Sequence, residues 1–252
     1  MATGLENSLL YESQEKISST LQKSLLPGKI PSIRDLDIGI HYESATAEAA
    51  VGGDFYDFVR LKRKKWAIIV GDVSGKGIEA AADTAMVKYI LRGYLLRGFS
   101  LADSLSELNN MVQKQLTSGR FVTLVIALYQ GNGVFELVNA GHTRPFLFKK
   151  PNGSFVKESG LAIGVFPGKS YNITRLKLDP QDLLVLYTDG LTEARVNSEL
   201  FGEEGLRRVV TEKAGLGIKD LAESLSASAK TFANDILSDD LLAMVINRVR
   251  GG

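Results

Sequence analysis

Four apolar runs in this chain begin or end on aspartate, a residue that β-strands disfavour. "VGGDFYDF" sets Asp54 directly after two glycines, with Asp57 three residues on. "WAIIVGD" closes on Asp72, "DLLVLYTD" closes on Asp189, and "SDDLLAMVI" opens on Asp239 and Asp240. Any one of these is ordinary turn material. As a set they could do chemistry, provided their strand ends share a rim. Carboxylates crowded into a partly dehydrated cleft repel one another and are driven to protonate. A bound divalent cation relieves that repulsion. Hard oxygen donors select Mg²⁺ or Mn²⁺ over zinc in a chain whose only histidines are His41 and His142. Whether the four ends meet is a question for the tertiary structure.

Other chemistries find less support. The chain has no cysteine, which excludes thiolate nucleophiles and thiolate metal sites. "GKGIEA", Gly75 to Ala80, fits a dinucleotide-binding pattern between a strand and a helix, but its surroundings do not alternate strand and helix as that fold requires. "GDVSGKG" resembles a phosphate loop, yet only three residues separate Gly71 from Gly75, and Gly77 stands where a magnesium-binding hydroxyl belongs. Ser74 lies outside any nucleophile elbow, and neither histidine sits in a triad context.

The elements that must position the aspartates follow from periodicity. Residues 5–26 carry Leu10, Ile17, Leu21 and Leu25 at helical spacing, stopped by Pro27 and Gly28. The narrow apolar stripe of that helix needs a partner, either the domain body or the same helix of a second subunit. Strands are expected at "LDIGIHYES", at "DFYDFVRL" with "KWAIIVGDV", at "RFVTLVIALY" with "GVFELVNAG", and at "RPFLFKK" with "SFVKE" around "PNG". Helices are expected over about 77–96, from Ser100 with Asp103 as a capping box, and over about 203–214 and 218–236. Strand blocks set apart from paired helices predict an α+β fold of antiparallel sheets with helices on their outer faces.

A net charge of +1 and the lack of any long basic run argue against nucleic acid as a partner. The one dense basic cluster, "RLKRKKW" from Arg60 to Trp66, reads as a solvated hairpin tip in preference to a phosphate-binding patch. No apolar run approaches the ~20 residues of a membrane span, so a cytoplasmic protein without membrane or nucleic-acid partners is expected.

"LQKSLLP", "VGGDFYDF", "GDVSGKG", "NAGHTRPFLF", "LYTDGLTEA" and "SDD" occur in the order found in bacterial metal-dependent serine/threonine phosphatases. From about Leu21 to Val249 the chain resembles the PPM-type branch of stage II sporulation protein E and the sigma-B regulator phosphatases. The resemblance implies an antiparallel β-sandwich flanked by pairs of helices, in α-β-β-α layers. It divides the chain into an N-terminal helix, residues 1–27, for linkage, dimerisation or regulation, and a phosphatase domain, residues 28–252. Two ions, Mn²⁺ or Mg²⁺, are implied. Asp72 would bridge them, with the Val73 carbonyl and Asp54 completing one site and Asp189 and Asp239 holding the other. Asp57 and Asp240 would be supporting groups that orient waters or ligands. Asn139, Gly141 and His142 match a motif read as structural, with His142 as a general acid the lesser option.

The implied reaction is hydrolysis of phosphoserine or phosphothreonine by a metal-activated water. The implied substrate is a phosphorylated anti-sigma-factor antagonist, which places the protein in sigma-factor and stress-response signalling. A separate sensor or activator protein and a homodimer through the N-terminal helix are further expected partners. The rival expectation is a catalytically silent, phosphatase-like module that sequesters a partner. Two departures from the family pattern stand out. Leu242 occupies a position that usually carries a small hydroxyl residue, and Glu79 and Asp83 put acids on a helix that is usually more apolar.

Overall fold

Strands β2 (Phe55–Arg60) and β3 (Trp66–Val73) pair antiparallel, as do β4 (Val122–Gly131) and β5 (Val134–Ala140), and β8 (Thr174–Lys177) completes a sheet ordered β2-β3-β4-β5-β8. A second sheet is ordered β1-β12-β9-β6-β7, from β1 (Leu36–Glu43), β6 (Phe146–Lys149), β7 (Asn152–Phe155), β9 (Leu183–Tyr187) and β12 (Leu241–Arg248). The structure is a computed structural model that describes residues 20, 25–44, 52–116, 119–157 and 160–249. Most of the expected N-terminal helix, with Leu10, Ile17 and Leu21, lies outside them; of residues 5–26 only Thr20, Leu25 and Leu26 are described.

The run "LLVLY" of β9 is buried at every position because both faces of its sheet are covered. Leu184 and Leu186 join Ile68, Val70, Val125 and Met244 in the core between the sheets. Their neighbours Leu183, Val185 and Tyr187 face away, toward helices α4 (Gly202–Lys213) and α5 (Ile218–Phe232), whose Leu206, Val210, Leu221 and Leu225 cover that face. On the other sheet, Phe55, Val59, Ala67 and Ile69 meet Val87, Leu91, Leu105 and Leu108 of α1 (Ile78–Arg97) and α2 (Leu101–Gln115). The result is the expected α-β-β-α sandwich, with three apolar cores separated by two sheets. Among the described residues, no helix is long and apolar enough to cross a membrane.

Helix ends follow local chemistry. Gly98 closes α1 in the left-handed region at φ 90°, with its N–H on Leu95 O and the Phe99 N–H on Tyr94 O, a Schellman arrangement. Ser100 caps α2 as expected: its Oγ accepts the Asp103 N–H at 3.1 Å and its hydroxyl donates to Asp103 Oδ2 at 2.6 Å. Helix α5 stops at Phe232, four residues earlier than the sequence suggested, because Asn234 and Asp235 turn to positive φ. The third hairpin turns at Lys150–Pro151, so only the proline of "PNG" is in the turn, and Asn152 and Gly153 belong to β7. Two small elements had no periodicity to announce them: helix α3 (Asp189–Thr192) and the ribbon of β10 (Arg195–Val196) and β11 (Glu199–Leu200).

The basic cluster is indeed the tip of the β2–β3 hairpin. Lys65 N–H turns back to Lys62 O, and the two central residues, Arg63 and Lys64, hold φ of 58° and 59°. Positive φ at both centres is the requirement of a type I′ turn, which favours Asn-Gly. Long side chains there cost about 1 kcal/mol each.

Candidate metal centre

Each sheet brings two of the aspartate-bearing ends together. In one, Phe55 pairs with Gly71, so Asp54 at the start of β2 lies beside Asp72 at the end of β3. In the other, Tyr187 pairs with Ala243, so Asp189 just after β9 lies beside Asp239 and Asp240 just before β12. The sandwich stacks these ends on one rim. Glycine makes the approach possible: a Cβ on Gly53 would overlap the Val73 carbonyl and reach within 2.6 Å of Asp72 Oδ1. One on Gly52 would reach within 2.6 Å of Asp240 Oδ2.

The carboxylates respond as like charges in a dry cleft do. Asp54 is pushed well above the usual range, first by burial and then by Asp72, with Asp240 and Asp189 adding to it and the Thr188 hydroxyl opposing. Asp72 is raised to about 7 by burial and by Asp189, Asp239 and Asp240. Asp189 is raised by burial, then by Glu193 and Asp239. Asp239 turns outward, with Lys76 Nζ 3.5 Å from its Oδ1. Among the described residues, no three acid or imidazole groups stand close enough around one point to hold an ion as they are. The donor set nevertheless fits a hard divalent cation. It offers oxygen ligands only, and the buried Asp54 Oδ2 has no hydrogen-bond partner, an acceptor that a cation would satisfy.

Residues 62–249, three-quarters of the chain, match the family model of stage II sporulation protein E, SpoIIE. The chain belongs to the SpoIIE family. That match includes Asp72, Asp189 and Asp239, while Asp54 lies just ahead of it. Phosphoserine phosphatase RsbU of Bacillus subtilis is 27% identical over 240 residues, covering 94% of this chain and 70% of RsbU. Other curated relatives are longer, and the chain spans between 24% and 41% of their length. The SiaA-PP2C domain of Pseudomonas aeruginosa superposes with a TM-score of 0.80 at 18% identity, covering 99% of both chains. The catalytic domain of the serine/threonine phosphatase PstP, solved with two manganese ions, superposes at 0.63 with 16% identity, over 85% of this chain and 99% of its own. At such identities the structural likeness establishes the fold.

In this SpoIIE-family domain Asp240 and Asp57 part company. Asp240 belongs to the rim, where it accepts the Tyr42 hydroxyl at 2.6 Å. Asp57, expected to orient waters or ligands there, is placed elsewhere. Strand alternation turns it to the α1 face, and Arg92 Nη1 reaches its two oxygens at 3.1 and 2.9 Å. Lys88 Nζ stands 3.8 Å away and donates to Leu25 O, which ties α1 and β2 to the segment preceding the sandwich. Removing one partner of a buried pair leaves the other uncompensated. Asp57→Asn is therefore expected to cost about 3 kcal/mol of stability, read as a lower midpoint in urea.

His142 is buried in the turn after β5. Asn139 Oδ1 accepts its backbone N–H at 2.8 Å, and Asn139 Nδ2 donates to the carbonyls of His142 and Thr143, clamping the turn after β5. Burial lowers the imidazole to about 4, so it is neutral at pH 7.

Two contributors escaped the sequence reading. Tyr42, at the end of β1, steadies Asp240. Thr188, fully buried, accepts the Leu242 N–H at 3.0 Å on its Oγ1 and faces Asp54. A hydroxyl directly before Asp189 was the one available signal. Leu242 itself fills the inter-sheet core. The acids Glu79 and Asp83 are engaged by Arg120, at 2.6 and 2.5 Å, which fastens the first turns of α1 to the segment before β4.

Proposed function

We propose that this chain is a divalent-metal-dependent protein phosphatase acting on phosphoserine or phosphothreonine, with a phosphorylated anti-sigma-factor antagonist as substrate. The observation that carries the reading is the convergence of four strand-end carboxylates on one rim, each of the three most buried raised by the others. The family match, the phosphoserine phosphatase RsbU and the two manganese ions of PstP support it. Asp72, the Val73 carbonyl and Asp54 would hold one ion, and Asp72, Asp189 and Asp239 the other. When bound, the ions supply a water of lowered pKa and positive charge for the phosphoryl oxygens.

The chain's own groups set the conditions. Burial of Asp54 keeps bulk water from its carboxylate, and Gly52 and Gly53 let the chain pass close to Asp240, Asp72 and the Val73 carbonyl. Thr188 fixes Asp54 from the opposite sheet, and Tyr42 fixes Asp240. His142, buried, is a neutral imidazole at pH 7 and has no imidazolium proton to donate. No side chain is called on as a nucleophile, in keeping with a chain that has no cysteine.

The test is calorimetric titration with Mn²⁺ alongside phosphate release from a phosphoserine-bearing antagonist. Manganese binding that Asp239→Asn weakens by at least tenfold, together with turnover, is the expected result. Manganese binding without turnover of any phosphoprotein would leave a sequestering module, and absence of manganese binding would reject the reading outright.

A further inference from the structure

The basic hairpin tip does more than turn the chain. Arg60, Arg63 and Lys64 line a cavity of about 480 Å³ together with Arg34, Asp35 and the half-buried Trp66. Asp35 is the one carboxylate of the lining, and Arg34 lies 3.7 Å from it. Arg60, Arg63 and Lys64 have no acidic partner among the described residues, whereas Arg92, Arg120, Arg144 and Arg175 all do. Three uncompensated cations therefore face one small cleft.

Their placement runs against local preference. The turn holds positive φ at two consecutive positions, where Asn-Gly would sit without strain, and instead carries Arg63 and Lys64. A residue pair that opposes its own backbone points to a use for its side chains. The cleft is also separate from the carboxylate rim. Asp54 and Arg60 lie at opposite ends of β2, as do Asp72 and Trp66 of β3, some six residues or about 20 Å apart. An anion held here is not the phosphoryl group of the proposed reaction.

We propose that this cleft is a binding site for a small ligand carrying phosphoryl groups, held by Arg60, Arg63 and Lys64 against the face of Trp66. Guanidinium forks match phosphoryl oxygens bidentately, and the cavity has the size of a small-molecule site. A diphosphate concentrates its charge in a volume that three clustered cations can neutralise. An acidic peptide spreads one charge per residue along ~3.3 Å of chain.

Trp66 is the only tryptophan in the chain, so its fluorescence reports the cleft directly. The full chain, stripped of divalent ions and dialysed free of chelator, is titrated at constant ionic strength with inorganic pyrophosphate, ADP and tetraglutamate. A saturable change with pyrophosphate is expected, and tighter binding of ADP would add a base stacked on the indole. The double variant R63N/K64G installs the pair that the turn prefers, so its melting temperature is expected to hold or rise while its dissociation constant for pyrophosphate increases at least tenfold. Arg60→Gln, outside the turn, is expected to weaken binding in the same direction. No saturable response to pyrophosphate or ADP, an unchanged titration in R63N/K64G, or tighter binding of tetraglutamate would each overturn the assignment.

Discussion

Asp72→Asn is expected to lower kcat/KM toward a phosphoprotein by about 10³-fold and, in the same molecule, to raise the stability of the metal-free protein. The two effects have one cause. Asp72 sits where the end of β3 meets the start of β2, facing Asp189, Asp239 and Asp240 across the rim. In the proposed reaction it would contribute to both ion sites, so its neutral replacement would weaken both. Without ions it is a buried carboxylate surrounded by its own kind, and asparagine keeps the shape while removing the repulsion. Phosphate release and thermal unfolding in chelator measure the two halves. A variant that loses activity and stability together would mean that Asp72 supports the fold in a way its surroundings do not reveal.

The second large effect is on pH dependence. The folded-state pKa of Asp72 is about 7, raised from the ordinary aspartate value. The folded state therefore binds a proton that the unfolded chain releases near pH 4. The resulting stability is fully present below about pH 4, declines as the pH rises, and is gone above about pH 7. His142 works in the opposite sense: its pKa falls to about 4, so the stability it contributes is present above its unfolded value near 6.5 and lost as the pH falls toward 4. Subtracting the melting curve of Asp72→Asn from that of the wild type isolates the carboxylate. The variant is expected to match the wild type near pH 4 and to exceed it by roughly 5–10 °C at pH 8. Manganese should reverse the order. Protons and cations compete for the same oxygens, so its stabilisation of the wild type should be large at pH 8 and small at pH 5. A difference curve that is flat between pH 4 and 8 would refute the crowding of the rim.

Several features of the site have local causes and were legible from the chain. Strands with polar or glycine ends read correctly because alternation and burial act within a few residues. The β2–β3 and β4–β5 hairpins and the capping of α2 all follow from such short-range rules. The aspartates at strand ends were visible for the same reason, since a carboxylate in a strand-forming run is a local contradiction.

The long-range features were not. The last strand, β12, lies between β1, far from it in sequence, and β9, about fifty residues before it, so no single segment announces that order. That insertion brings Asp239 and Asp240 beside Asp189. The fate of Asp57 shows the limit well. Its parity with Phe55 and Val59 was in the sequence, and so was its charge. That the same face would carry α1, with Arg92 and Lys88 presented to it, depended on a helix some thirty residues away. By itself the sequence determined which strands and helices form and which of their ends carry charge, because backbone preference and apolar periodicity are properties of neighbours in the chain. Only the tertiary structure decided which charges face one another. The energies of that choice, burial and Coulomb repulsion, depend on distances across the sandwich that no local pattern encodes.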